Sequence, residues 1–464
     1  MKEQKKDISK QLGTAPVGKL LMKLAVPTVV AQLVNLLYNI VDRIYIGHMP
    51  EVGRMALTGI GLCFPVVYLI GAFAALMAQG GAPRAAIAMG QGDEERAEAI
   101  MGNCFTSLIV TALVLMVAFW AWGEPLLWLF GCSEETILYA LPYMRIYTGG
   151  SVFVMLALGM NAFITTQGFT GFSMRTVLVG AVSNIVLDPL FIYGLDMGVE
   201  GAALATVISQ ALSGVCVVLF LVGKKTKLRL KKEYLRPCVA VMGPCMALGL
   251  APFIMQSTEA LLNVSFNSSL QRYGGDLAVG AMTVASTVMQ MVWIPIQGVG
   301  QGAQPIISYN YGAGNIQRVR EAFWALLKVS MAFMLPFWAL VQLFPGMFIS
   351  IFNSDPALME TAVWTLRVYT AVLGLFGIQM AVQQALMALG KAKASLFIAC
   401  LRKVILLIPL IFILPTFFAD KVFAVFLAEP VSDIISITVS AVTFFFVFRG
   451  VVSEMAEKNR RVSD

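Results

Sequence analysis

The sequence predicts an all-α integral membrane protein of about twelve transmembrane helices, arranged as two pseudo-symmetric six-helix bundles around a central cleft. Three observations lead there. Of 464 residues, 58% are hydrophobic and only 13% charged, against ~45–50% and ~25% in soluble domains. Apolar stretches near the ~20 residues that cross a bilayer recur between short charged clusters, and they use nearly the whole chain. The third observation is an internal repeat at an offset of 222 residues.

Reading apolar runs between charge clusters places spans at about 21–47, 57–80, 97–122, 137–164, 173–194, 200–222, 240–270, 277–302, 320–345, 358–388, 394–418 and 421–448. If the first span leaves the cytoplasm, the inner segments hold Lys2, Lys5, Lys6, Lys10, Lys19, Arg84, Arg96, the basic run from Lys224 to Arg236, Arg318, Arg320, Lys391, Lys393, Lys458, Arg460 and Arg461. The outer loops hold little beyond Arg54, Arg272 and Lys421. By the positive-inside rule this asymmetry places both termini in the cytoplasm. The expected location is the cytoplasmic (inner) membrane, crossed many times, and the expected state is a monomer. The net charge of +7 is dispersed among short inner segments, so no nucleic-acid partner is expected. Residues 1–19 lack an apolar core followed by a small-residue cleavage site, which argues against a removable signal peptide. Seven scattered cysteines without a CxxC pair argue against disulfides and zinc.

The basic run at the midpoint reads as a cytoplasmic linker, giving an amino-terminal bundle over 1–222, a linker over 223–239 and a carboxy-terminal bundle over 240–464. At the 222-residue offset Pro83 meets Pro305, Gly90 meets Gly312, Gly92 meets Gly314, Arg96 meets Arg318, Phe130 meets Phe352, Arg145 meets Arg367, Tyr147 meets Tyr369, Thr148 meets Thr370 and Gly168 meets Gly390. Six spans per half is an even number, so the repeat is parallel, with its axis along the membrane normal.

Charges within a bilayer are costly and usually face a cavity or a partner. The candidates are Asp42, Arg145, Asp188, Glu259, Arg367, Arg402, Glu429 and Asp433. Gln32, Asn35, Asn39 and Asp42 form one polar stripe along the first span. Gln256, Glu259 and Asn263 repeat it on the seventh at an offset of 224. On the fifth span Asn184 and Asp188 share a face as an i, i+4 pair. At ~1.5 Å rise per residue, Asp42, Asp188, Tyr143 and Thr206 fall at one depth in the outer half of the first bundle. Such an all-oxygen set suits a hard cation such as Na⁺, and two close carboxylates also bind a proton. Both readings stay open. For Arg145, Arg367, Glu429 and Asp433, structural pairing of intramembrane Arg with acid is the expected role.

The single histidine, His48, reads as a surface loop residue. The 26 methionines suit an adaptable binding surface or plain gap filling. Gly298 and Gly302 form a GxxxG, a weak signal for close helix packing. No Walker loop, HExxH or GxSxG is present, so the energy source is expected to be an ion gradient, the protein is not expected to be an enzyme, and no cofactor is expected beyond a coupling H⁺ or Na⁺.

Three segments, Val41 to Gly47 (VDRIYIG), Asn184 to Gly194 (NIVLDPLFIYG) and Gly300 to Asn315 (GQGAQPIISYNYGAGN), resemble the multidrug and toxic compound extrusion (MATE) transporters, over residues from about 15 to 450. The resemblance implies a proton or cation site in the amino-terminal bundle at Asp42, Asn184, Asp188 and Thr206, with Tyr143 beside it, and Na⁺ as a possible occupant of the first four. It matches the family's seventh-span acid to Glu259. Where some branches carry a tenth-span Asp, this chain has Gln379 and Gln383 and no acid. The expected function is secondary active efflux, coupled to H⁺ or Na⁺, of lipophilic cationic small molecules. Substrate is expected in a cleft of apolar and aromatic contacts that includes Gln32, Asn35, Asn39, Gln256, Glu259, Asn263, Gln379 and Gln383. The alternatives are a flippase for lipid-linked saccharides and an intramembrane lipid-modifying enzyme.

Overall fold

A computed structural model of the chain describes residues 11–49, 52–350 and 356–463. Lys2, Lys5, Lys6, Lys10 and Phe352, used above for charge asymmetry and repeat, lie outside the described residues, as do the side chains of Arg54, Lys458, Arg460 and Arg461. Among the described residues all regular structure is helical. Ten helices are individually long and apolar enough to cross a bilayer, and two bent pairs raise the number to twelve. Leu129, Leu138, Leu219, Val264, Phe417 and Phe446 stand on the outside, where water would charge ~25 cal/mol per Å² of apolar surface and lipid does not. This is a multi-pass membrane protein.

The first three spans are Val17–Gly47, Gly53–Gly90 and Glu94–Leu129. The fourth, expected as one helix, is two, Glu134–Gly149 and Ser151–Thr166, bent by 54°. The tenth breaks at the equivalent place, between Met359–Tyr369 and Leu373–Ala388, with a bend of 40°. Side-chain donors gather on the carbonyls just before each bend. Thr148 Oγ1 donates to the Met144 carbonyl and Thr370 Oγ1 to that of Leu366, both at 2.7 Å. Trp120 Nε1 donates to the Arg145 carbonyl at 3.2 Å, and Gln342, its repeat partner, to the Arg367 carbonyl at 3.0 Å. Arg145 and Arg367 themselves are exposed and, among the described residues, have no acidic partner. Their expected pairing with intramembrane acids is therefore corrected: Arg367 Nε donates instead to the Gln342 carbonyl at 3.1 Å.

The remaining spans are Thr170–Gly194, Gly198–Val222, Val239–Gly275, Leu277–Gly312, Ile316–Leu343, Ala392–Thr416 and Lys421–Glu457. The repeat is visible in the backbone itself. Gly92 and Gly314 close their helices at φ 81° and 74°, and Gly168 and Gly390 at 88° and 68°, a left-handed region that glycine enters without a Cβ clash. Asp93 then caps the third span through the Arg96 amide (2.9 Å) and Asn315 caps the ninth through that of Arg318 (3.2 Å).

The halves meet at the end that carries the linker. In lipid there is little hydrophobic drive between helices, so close backbone packing carries association. A Cβ on Gly298 or Gly302 would lie 2.6 Å from Val29 Cα or 2.5 Å from Ala25 Cα. Gly90 abuts the Tyr309 carbonyl and Gly312 that of Ile87, a reciprocal contact across the repeat axis. Thr28 Oγ1 donates to the Gly298 carbonyl at 2.6 Å, and Gln32 Nε2 to Gln301 Oε1 at 3.2 Å. Two segments act as straps: the Leu12 and Ala15 carbonyls accept from Arg318 of the second half (3.1 and 2.7 Å), while those of Tyr234 and Leu235 accept from Asn103 and Thr106 of the first (3.2 and 2.7 Å). Toward the other end the bundles part above Gln32 and the Phe73–Phe253 ring contact, leaving a cleft open away from the linker.

Candidate ion and substrate sites

The fifth and sixth spans bring Asn184, Asp188 and Thr206 together. Asn184 Nδ2 donates to Asp188 Oδ1 at 3.0 Å and reaches Thr206 Oγ1 at 3.4 Å. Asp188 is fully buried and Asn184 nearly so. Asp42 on the first span lies within hydrogen-bonding reach of the Asp188 carboxyl. Asp42 Oδ1, Asn184 Oδ1 and Asp188 Oδ2 are all buried without a donor. Ionised carboxylates only accept, so their contact calls for a proton or a cation from outside the bundle. No basic side chain supplies it: among the described residues neither Asp is ion-paired, and the adjacent Arg43 turns onto the Phe64 ring, 4.6 Å away.

Tyr143 is buried nearby, stacked on Tyr147 at 6.2 Å, and makes no direct hydrogen bond to the four oxygen-bearing residues. Tyr38, which the sequence reading omitted, lies beside Asp42, and its hydroxyl accepts from Gln210 Nε2 at 3.4 Å. Its position one turn before Asp42 was the available signal.

Asn184 and Thr206 also border a cavity of about 310 Å³ between the bundles. Gln32, Asn35 and Gln256 line it as expected, joined by Gln79, Asn161, Gln210, Gln297, Gln301, Gln304 and Gln384. Among the described residues no charged side chain lines it, and Tyr38 is its one aromatic. The expectation of an apolar, aromatic cleft is thus corrected: this level of the cleft is built of carboxamides, which offer both donors and acceptors. Asn39, Glu259 and Asn263 are exposed higher along the same two stripes. There Asn39 Nδ2 donates to the Asn35 carbonyl (2.6 Å) and Asn263 Nδ2 to that of Glu259 (3.0 Å), the same bond at the 224-residue offset. Gln379 and Gln383 do not reach the cavity. They face Trp293, Phe376, Arg402 and Lys403 inside the second bundle, where Gln383 Nε2 donates to Ser395 Oγ at 2.9 Å; their neighbour Gln384 takes the cleft position.

The second bundle handles charge differently. Arg402 donates to Glu429 at 2.6 Å and Asp433 at 2.8 Å, and its guanidinium stacks over Phe376 at 4.5 Å. Glu429 and Asp433 thus have the structural pairing expected of them, with Arg402. Lys403, absent from the sequence candidates, pairs with Glu259 and donates to the Met255 carbonyl at 2.8 Å. Adjacent residues on a regular helix diverge by about 100°, yet both are buried here. The π turn Leu401–Leu407 re-registers the helix at this point, a distortion frequent at functional sites.

Twelve spans in two repeat-related bundles, with an acid cluster in one and a polar cleft between them, define the architecture of a membrane transporter. The MatE family model matches residues 27–190 and again 252–413, and the chain belongs to that family. Among characterised relatives, the multidrug export protein MepA of Staphylococcus haemolyticus (strain JCSC1435) is 25% identical over 418 residues, covering 89% of this chain and 91% of MepA. Among solved structures, a MATE crystal structure in the bent conformation superposes with a TM-score of 0.90 at 21% identity, over 97% of this chain and 99% of the other. An outward-facing multidrug resistance MATE transporter of the MOP superfamily gives 0.88 at 21%, over 95% and 98%.

Proposed function

We propose that the protein is a secondary active multidrug exporter, a transporter rather than an enzyme, that exchanges H⁺ or Na⁺ for lipophilic cationic compounds by alternating access. The observation that carries this reading is the set of three buried, donorless oxygens of Asp42, Asn184 and Asp188 at the edge of the interbundle cavity. In this reading the coupling ion binds among Asp42, Asn184, Asp188 and Thr206, with Tyr38 and Tyr143 walling the site. The chain works as a monomer in the cytoplasmic membrane, with both termini and the 223–239 linker in the cytoplasm, between bundles over 1–222 and 240–464. The cleft then opens outward. The multidrug export for which MepA is named supports the substrate class, and the amide-lined cavity supports variety, since carboxamides adapt to donors and acceptors alike. A coupling ion drives transport only through different affinities for the two facing states.

Purified protein in vesicles, with ΔpH and ΔpNa imposed separately, tests it. Movement of a lipophilic cation against one of these gradients, without product formation, is expected. Movement indifferent to both gradients would overturn the coupling.

A further inference from the structure

A second cavity, of about 230 Å³, lies at the linker end where the bundles touch, lined by Arg84, Gln91, Arg96, Tyr311 and Lys391 together with apolar side chains. Among the described residues no carboxylate lines it. Among the described residues, several acids of this end have partners away from the cavity: Asp93 caps the Arg96 amide, Glu94 pairs with Lys227 at 3.0 Å, Glu95 accepts from the Tyr234 hydroxyl at 3.1 Å and Glu98 holds Lys231 at 2.5 Å; Glu454 pairs with the cavity's own Lys391 at 3.0 Å.

The repeat provides the control. Arg318, the counterpart of Arg96, donates to Asn310 Oδ1 and to the Leu12 and Ala15 carbonyls. Its three acceptors are built in. At the position of Asn310 the first half has Ala88, and the strap carbonyls of Tyr234 and Leu235 are taken by Asn103 and Thr106. Arg96 therefore faces the cavity without that set. Among the described residues Arg84 Nε is buried with no acceptor, and the weakly accepting Cys245 thiol lies near its side chain.

We propose that this cavity binds an oxyanion of the phosphate class, held by Arg84 and Arg96 of one bundle and by Tyr311 and Lys391 of the other. Guanidinium groups match phosphate oxygens with paired, charge-assisted bonds. Because both bundles contribute, the anion has a complete site only while this end is closed, so it favours the present arrangement by its differential affinity. The source is either a free phosphate or an anionic lipid headgroup. Binding does not depend on the transport reading above; only its effect on turnover does.

The full chain is titrated in neutral detergent with inorganic phosphate against chloride at equal ionic strength, and in nanodiscs of phosphatidylcholine with or without phosphatidylglycerol, following the thermal midpoint. A saturable rise is expected in at least one arm, and which arm responds identifies the source. Arg84→Gln and Arg96→Gln, if the chain folds normally without anion, are each expected to raise the half-saturating concentration about tenfold. Lys391→Gln, already paired with Glu454, is expected to raise it less, and it serves as the second variant if either arginine change impairs folding. Spin labels at Leu57→Cys and Leu277→Cys, in a chain otherwise free of cysteine, are expected to report a wider open end when anion is bound. No saturable effect in either arm, or one unchanged in the arginine variants and Lys391→Gln alike, would overturn the proposal.

Discussion

The two bundles share a backbone and differ in how they neutralise buried charge. In the first, Asp42 and Asp188 sit together and, among the described residues, neither is ion-paired. In the second, Glu259, Glu429 and Asp433 are matched by Lys403 and Arg402. The repeat makes the contrast sharp. At the 222-residue offset Asp188 falls opposite Leu410, and Arg402, Lys403, Glu429 and Asp433 fall opposite Gly180, Ala181, Val207 and Ala211. At the 224-residue offset of the polar stripes, Asp42 meets Phe266. The fold was kept while the charges were placed independently in each half. In the proposed reading the first bundle takes its cation from solution, whereas the second supplies side-chain cations of its own, although Glu429 Oε2 is also buried there without a partner.

The largest expected effect breaks the first bundle's half of this contrast. Asp42→Asn and Asp188→Asn should each abolish gradient-driven efflux, with folding and partial drug binding retained. The double substitution should cost little more than either single one, since the two carboxyls act as one unit. Efflux and binding measured side by side in vesicles check this.

On the second bundle the effect should appear in stability instead. Arg402→Met strands two buried acids, a loss of about 3–5 kcal/mol. Replacing all three residues together by apolar ones, as in Arg402→Met with Glu429→Leu and Asp433→Leu, should recover most of it. Thermal unfolding in detergent measures both. Gly302→Val should disfavour the close packing of the bundles at the linker end by driving its side chain into Ala25, an overpacking cost of about 1–3 kcal/mol, read as reduced transport at near-normal expression.

The smallest effects concern Glu259, whose side chain is 50% exposed while that of Lys403 is 6%. Glu259→Gln should weaken transport of some cations without abolishing ion coupling. Lys403→Met should do the reverse, strengthening binding of cationic compounds a few-fold by freeing the carboxylate. Equilibrium binding of a lipophilic cation to each variant sets the order.

Much of this was legible in the sequence because lipid leaves few options. Charge inside a span is rare, so Asp42 and Asp188 stood out, and the i, i+4 spacing of Asn184 and Asp188 fixed a shared face. The repeat pairs Gly92 and Gly314, and Gly168 and Gly390, were visible in the sequence as matched glycines, and the structure supplies the reason, since each closes a helix at positive φ. What escaped depended on departures from the regular helix. Without the π turn, Arg402 and Lys403 point apart, so Lys403 was missed and Glu259 lacked its partner. The bends in the fourth and tenth spans are accompanied by side-chain donors on other spans, Trp120 and Gln342, that no local pattern reveals. The amide lining of the cavity was half visible in Gln32, Asn35 and Gln256, but Gln384 and Gln383 are adjacent, and only tertiary packing decides which one faces the cleft.

The contrast between bundles is tested most directly by counting the ions displaced when a lipophilic cation binds the purified protein, using calorimetry in buffers of different ionisation enthalpy, with and without Na⁺. The wild type, Glu259→Gln and Lys403→Met should each release about one H⁺ or Na⁺ per drug bound, and Asp42→Asn and Asp188→Asn should release none. Release that persists in Asp42→Asn and vanishes in Glu259→Gln would contradict the assignment of the coupling ion to the first bundle.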